Sequence, residues 1–141
     1  MIDLVLPARP WMAERMKLQQ AQVLTGQAMT PENLEMAIGG GMALAGIAAG
    51  EIVGMAGVFE RWAGVGVAWA LLSEGFGAHR LSAFKLMKRA LDVSPHLRVE
   101  AQVACGHEEG ERLLRHLGFE KEGIMRKFWQ GRDYSLFARV R

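Results

Sequence analysis

Residues 97–105 alternate: Leu97, Val99, Ala101, Val103 and Cys105 fall on one side, and Arg98, Glu100 and Gln102 on the other. A period of two is that of a β-strand with two unlike faces. Val65–Leu72 has no polar residue, which predicts a strand buried on both sides, near the middle of a sheet. Over Arg80–Asp92 the period changes. Leu81, Phe84, Met87 and Leu91 form an apolar stripe with Lys85, Lys88 and Arg89 outside it, which predicts a helix broken by Ser94-Pro95. Leu113, Leu114 and Leu117 continue that spacing in a second helix, Glu108–Leu117, which follows Gly106-His107 and stops at Gly118. Extended runs follow at Glu120–Trp129 and Tyr134–Val140, separated by Gln130-Gly131-Arg132-Asp133.

The first half reads the same way. Ile2–Leu6 is a short apolar run ended by Pro7, an edge strand. Pro10 suits a first helical turn, and Trp11, Met12, Met16, Gln19 and Val23 share a face, predicting a helix to about Leu24 closed by Gly26. Thr30-Pro31-Glu32-Asn33 starts a second helix, which Gly39-Gly40-Gly41 ends. Met42–Ala49 and Ile52–Glu60 then pair as a hairpin, Ala63-Gly64 turns the chain, and Ser73–Gly77 is a loop of mainly small residues. The order β-α-α-β-β-β-α-β-α-β-β implies an α/β (α+β) protein with a mixed sheet of six to seven strands, mostly antiparallel, flanked by about four helices.

Residues 38–59 are apolar except for Glu51, long enough to span a bilayer. Gly50-Glu51 divides the run, and a central Glu is costly in lipid, so the hairpin is the better reading and no membrane association is expected. The opening MIDLVLPARP lacks the basic-then-apolar order of a signal peptide. At 141 residues, 50% apolar and 23% charged, the chain suits a single folded domain over 1–141. A net charge of +2 without a run of Lys/Arg argues against nucleic-acid binding, despite a pI near 9.0. Cys105 is the only cysteine, so no intrachain disulfide forms. No His/Cys/Asp/Glu set has metal-ligand spacing.

The segment LLRHLGFEKEGIMRKF, Leu113–Phe128, resembles the LYEKLGFxxEG signature of the GNAT acetyltransferase superfamily, with Leu113, Leu117, Gly118, Phe119, Glu122 and Gly123 at matching positions. The run DYSLFARV resembles the strand that follows it, and the N-terminal half is similar in layout. The short length and the run AWALLSEGFGAHRLSAFKLMKR look closest to GNAT-like proteins of phages and prophages. The resemblance implies the acyl-CoA N-acyltransferase fold and acetyl transfer from acetyl-CoA, the co-substrate, to an amine, with no metal. It further implies a cytoplasmic protein, or a virion-associated one if phage-encoded, and leaves a homodimer open. The alternative is a fold retained as a binding or virion-assembly module without catalysis.

Such chemistry needs backbone N–H donors for a pyrophosphate, splayed strands to hold the thioester, and groups to take and give a proton. The resemblance puts the phosphate site at Gly75, Gly77, Ala78, His79, Arg80, Leu81 and Ser82. The glycine pattern is incomplete in either register, so these residues are a phosphate cradle or the start of an ordinary helix. The signature's Tyr, the usual proton donor, falls at Leu114. The Asn that opens the same helix in the family falls at His107, which either exchanges a proton or bonds the pantetheine amide, or merely begins a helix. Glu60 is a further catalytic candidate, or a solvated strand end. Glu100 and Gln102 line a wet cleft, or are partly exposed or pair with Arg98. Trp62, Trp69, Phe128 and Trp129 form an acceptor pocket or ordinary core. Cys105 and Tyr134 read as structural.

Overall fold

The computed structural model describes residues 2–19 and 30–141. Seven strands form one sheet: β1 (Asp3–Val5), β2 (Gly41–Ala48), β3 (Glu51–Trp62), β4 (Val65–Leu72), β5 (Arg98–Ala104), β6 (Glu120–Trp129) and β7 (Arg132–Val140). Their spatial order is β1-β2-β3-β4-β5-β7-β6. All neighbours are antiparallel except β4 and β5. Among the described residues the helices are α1 (Trp11–Glu14), α2 (Pro31–Gly39), α3 (Arg80–Val93) and α4 (Glu108–His116). The apolar run over 38–59 is a hairpin, turning at Ala49 and Gly50, both with positive φ. Among the described residues no helix is long and apolar enough to cross a membrane.

Local chemistry accounts for the boundaries. The Thr30 hydroxyl accepts from the Asn33 N–H at 3.2 Å and Pro31 occupies the first helical position, so α2 starts as predicted. At Gly41 a Cβ would lie 1.9 Å from the Val58 carbonyl oxygen, so only glycine lets β2 approach β3 there. Helix α4 ends with Gly118 at φ 93°; the Gly118 N–H bonds the Arg115 carbonyl and the Phe119 N–H bonds that of Leu114. This paired closure brings Phe119 back against the helix, and Phe119, Leu117 and Phe137 are buried together.

Three expectations are corrected. The first helix stops at Glu14; Leu18 instead bridges to Ser73 beside β4, and the predicted continuation over 20–24, with Gly26, lies outside the described residues. Tertiary pairing overrides the helical spacing of the apolar residues there. The expected loop at Ser73–Gly77 is a 3₁₀-helix, Glu74–His79, anchored by buried Phe76 against Leu72, Ala48 and Val53. Leu81 is 67% exposed because it lies in line with Lys85 and Lys88, three and four residues apart along the helix; Ala83, Phe84, Met87 and Leu91 make the packed face.

The sheet has apolar layers on both faces. Ala43, Ala45, Met55 and Leu71 pack against Ala8, Met12, Met16 and Leu34 on the α1–α2 side. Val58, Val99, Ala101, Val103 and Phe137 pack under α3 and α4.

Candidate active site

The parallel pair β4–β5 holds together for three steps only: Val65 with Arg98, Gly66 with Val99, Val67 with Glu100. Past Val67 and Glu100 the strands have no further register pairs, while β4 continues to Leu72 and β5 to Ala104. Two parallel strands that part in mid-sheet leave a wedge, open toward their C-terminal ends. The chain enters the 3₁₀-helix and α3 from one arm of the wedge and α4 from the other.

A cleft of about 350 Å³ occupies this wedge. Ala68, Trp69 and Ala70 line it from β4, Ala101, Gln102, Val103 and Ala104 from β5, and Met87, Ala90 and Leu91 from α3. His107, Gly110, Leu113 and Leu114 close it along α4, and Phe128, Trp129 and Tyr134 close it at the β6–β7 hairpin. Small side chains on the strands keep the slot open at the level where the ladder stops. Among the described lining residues there is no Asp, Glu, Lys or Arg.

Strand parity divides the lining between two faces. Ala68, Ala101 and Val103 belong to the layer under α3 and α4. Trp69 packs against the α1–α2 layer, with its strand neighbour Leu71 buried there. Gln102 and Ala104 alternate with Ala101 and Val103, so they face the Trp69 side, and Tyr134 pairs with Ala104 in register. The rings of Tyr134 and Phe128 lie 5.5 Å apart. Gly57, opposite Trp69, is the seat for the indole: a Cβ there would lie 2.9 Å from Trp69 Nε1.

The Nε1 atoms of Trp69 and Trp129 are buried and have no hydrogen-bond partner among the described residues. Burying a donor without an acceptor costs roughly 1–3 kcal/mol. Two such donors join Gln102, His107 and Tyr134 as the polar groups of a mainly apolar wall.

His107 lies where α4 begins and makes no side-chain cap. Its imidazole folds over the first turn, where a Cβ on Gly110 would be 2.8 Å from His107 Nδ1. The acidic residues Glu108, Glu109 and Glu111 complement the helix dipole from outside the cleft. Leu114 is in the lining, so the position matching the signature's Tyr does face this site, carrying an aliphatic side chain. Tyr134, read as structural, is buried in the core and also lines the cleft.

Several candidates lie elsewhere. Glu60 pairs with Gly66 at the closed end of the wedge, and its carboxylate is 3.8 Å from His96 Nε2. His107 follows the other end of β5, so five strand residues from the Gly66–Val99 level, about 16 Å, separate the two. Glu60 and His107 therefore do not form one site. Glu100 does not line the cleft; it bonds Arg98 at 2.9 Å and lies 3.6 Å from Arg61, so the pairing alternative holds. Trp62 is 60% exposed beside Arg61, away from the cleft. Cys105 lies beyond the end of β5 and is exposed, with its Sγ 3.5 Å from Ser135 Oγ, correcting the expectation of a strand-end core residue.

The predicted phosphate-binding residues are not in the cleft lining. Gly75, Gly77 and Ala78 lie in the 3₁₀-helix and, with Arg80, Leu81 and Ser82, are exposed where α3 begins; His79 is half-buried. They stand at the C-terminal end of β4, which is the open side of the wedge.

Phe128, Trp129 and Trp69 were legible as a candidate pocket from their aromatic character alone. Gly57 and Gly110 had no sequence signal, because their role is the space they leave for Trp69 and His107.

No family sequence model and no curated protein matches the chain. The likeness lies in the fold. The chain is similar to an acetyltransferase of the GNAT family from Streptococcus pneumoniae (18% identity, TM-score 0.67, covering 98% of this chain and 99% of that one). It is also similar to a ribosomal-protein-S5-alanine acetyltransferase from Vibrio fischeri (15%, 0.66, 99% and 92%) and an N-acetyltransferase from Staphylococcus aureus Mu50 (7%, 0.73, 99% and 97%).

Proposed function

The chain has the GNAT acyl-CoA N-acyltransferase fold, and we propose that it transfers an acetyl group from acetyl-CoA to an amine. The observation that carries this reading is the β4–β5 wedge with a cleft between its arms. The residues present suit the co-substrate. Ala68, Ala70, Ala101 and Ala104 leave a narrow apolar slot, suited to a thin pantetheine arm. The exposed backbone from Gly77 to Ser82, beside Arg80 and His79, suits a pyrophosphate at the start of α3.

When bound, acetyl-CoA supplies an activated acyl carbonyl. The amine nitrogen attacks that carbon, a C–N bond forms and the C–S bond breaks; the amine gives up a proton, and the departing sulfur accepts one. The apolar walls exclude water from the slot, which protects the thioester and strengthens each polar contact. Among the described lining residues, His107 and Tyr134 are the side chains able to exchange a proton. His107, at the α4 end, is assigned the proton transfer, and Leu114 cannot take part.

Titration calorimetry with acetyl-CoA tests the reading, followed by release of free thiol in the presence of amines. One-to-one binding that weakens in Arg80→Glu is expected; no heat with acetyl-CoA or CoA would overturn it. Leu114 supports a second reading, a binding protein without turnover. Tight acetyl-CoA binding with no thiol release across amine classes would favour that one.

A further inference from the structure

We propose that the acceptor side of this cleft takes an amine on an uncharged, apolar body that carries a carbonyl oxygen, and that Trp69 and Trp129 select it by donating hydrogen bonds to that oxygen. The proposal rests on the acetyl-transfer reading and deepens it by naming the acceptor class.

Three observations lead there. The aromatic residues gather on one side of the wedge: Trp69 and Tyr134 lie on the face away from α3 and α4, and Phe128 joins them through Tyr134. The predicted phosphate site lies on the other side, at the start of α3, so this side is left for the second substrate. Next, the described residues of the wall include no carboxylate. A polyamine or other polycation would have to bury ammonium groups with no counter-charge, which is strongly unfavourable. The body of the acceptor is therefore apolar, and its amine enters as the neutral base. Finally, both indole N–H groups are buried without an acceptor among the described residues. Indole nitrogen only donates, so the complementary ligand atom is an acceptor such as an amide oxygen. With no cation in the lining, a neutral carbonyl fits better than a carboxylate. An amide of an apolar amino acid, free or at the N-terminus of a peptide, has all three features.

The test uses phenylalanine amide, phenethylamine (the same body without the carboxamide) and spermidine, with binding to the purified chain measured by calorimetry. Wild type is expected to bind phenylalanine amide about tenfold more tightly than either comparator. Trp129→Phe and Trp69→Phe keep an aromatic ring and remove the donor. Each should erode that advantage, and the double variant should reduce it to about twofold or less. Trp62→Phe, outside the cleft, should leave it intact. Tightest binding of spermidine would overturn the proposal, as would an unchanged preference in the double variant or failure of both aromatic amines to bind. Unfolding curves confirm that each variant is folded, and Trp129→Phe alone decides if the Trp69 change is not tolerated. A protein that binds the amide but not acetyl-CoA would refute the transferase reading while leaving the acceptor assignment standing. Equal acetylation rates of a dipeptide amide with an N-terminal phenylalanine and of phenylalanine amide would place the peptide source within the class.

Discussion

Gly57→Ala sets two physical effects against each other. Alanine has the better strand propensity, because glycine loses more backbone freedom on folding, and this alone predicts a gain of roughly 0.5–1 kcal/mol. The surroundings predict a loss. The new Cβ would lie 2.6 Å from the Met42 carbonyl oxygen and 2.9 Å from Trp69 Nε1. Ordinary carbon–oxygen contacts sit at about 3.3–3.6 Å, so the overlap with Met42 is about 0.7 Å or more. That oxygen belongs to β2, whose ladder with β3 pairs Met42 with Val58 next door, so it cannot retreat without disturbing the pairing. The indole can rotate, but only by leaving its seat in the cleft wall. Overpacking of this kind costs about 1–3 kcal/mol, and for a chain of this size each kcal/mol is worth about 3–4 °C in melting temperature. Gly39→Ala is the control, since the same methyl group at the end of α2 meets nothing within 4 Å. Melting curves should show Gly57→Ala below wild type by about 3–10 °C and Gly39→Ala at or above it, with Trp emission altered only in the first. A Gly57→Ala protein as stable as wild type would refute the seat assigned to Trp69.

Leu114→Tyr returns a proton donor to the cleft at the position where the signature carries one; thiol release should rise by up to about 100-fold at saturating substrates, with acetyl-CoA affinity nearly unchanged, and stopped-flow or steady-state thiol assays would read it. Two surface carboxylates contribute to the acid limb of stability. Hydrogen bonding by Arg139 and then Lys88 lowers the pKa of Asp92, and hydrogen bonding by Arg98 lowers that of Glu122. Groups depressed in the folded state contribute stability that is fully present above their unfolded values, near pH 4, and lost as pH falls through the folded ones. Melting temperatures of wild type and of the Asp92→Asn, Glu122→Gln double variant should therefore differ at pH 7 and converge toward pH 3, with a smaller gap in high salt.

The sheet was legible because its strands obey simple patterns. The all-apolar run Val65–Leu72 is the fourth of seven strands, and the alternation over 97–105 reports a strand with a helix-covered side and a charged side. The Gly118 turn was legible for the same reason, since one local conformation determines it. The failures came where a distant partner decides. Residues Arg15–Leu18 continue a helical pattern, yet Leu18 is held by Ser73, some fifty positions along the chain. Leu81 joins an apolar spacing that the helix does not use, because the packed face is set by where Phe76 and Leu72 lie. The site was only half readable. The resemblance pointed to His107, which lines the cleft, but Tyr134 and the two indole donors owe their place there to the departure of β4 from β5, and nothing in either strand's own sequence announces where pairing stops.

That departure also explains how a fold persists at identities of 7–18%. The wedge is made by register: three paired residues, then two strands drawn apart, each followed by a helix. An apolar β4, a two-faced β5 and a glycine after α4 favour it through backbone pairing and burial. The side chains projecting into the gap are free of that constraint, so they can change while the scaffold stays. Here they are an aliphatic residue at 114 and tryptophan at 69 and 129, with no carboxylate among the described lining residues. The same separation of scaffold from lining means that substitutions at Trp69, Trp129 and Leu114 should alter what the cleft binds, while those at Phe137 or Leu117, both buried in the layer beneath α3 and α4, should alter whether the wedge forms at all.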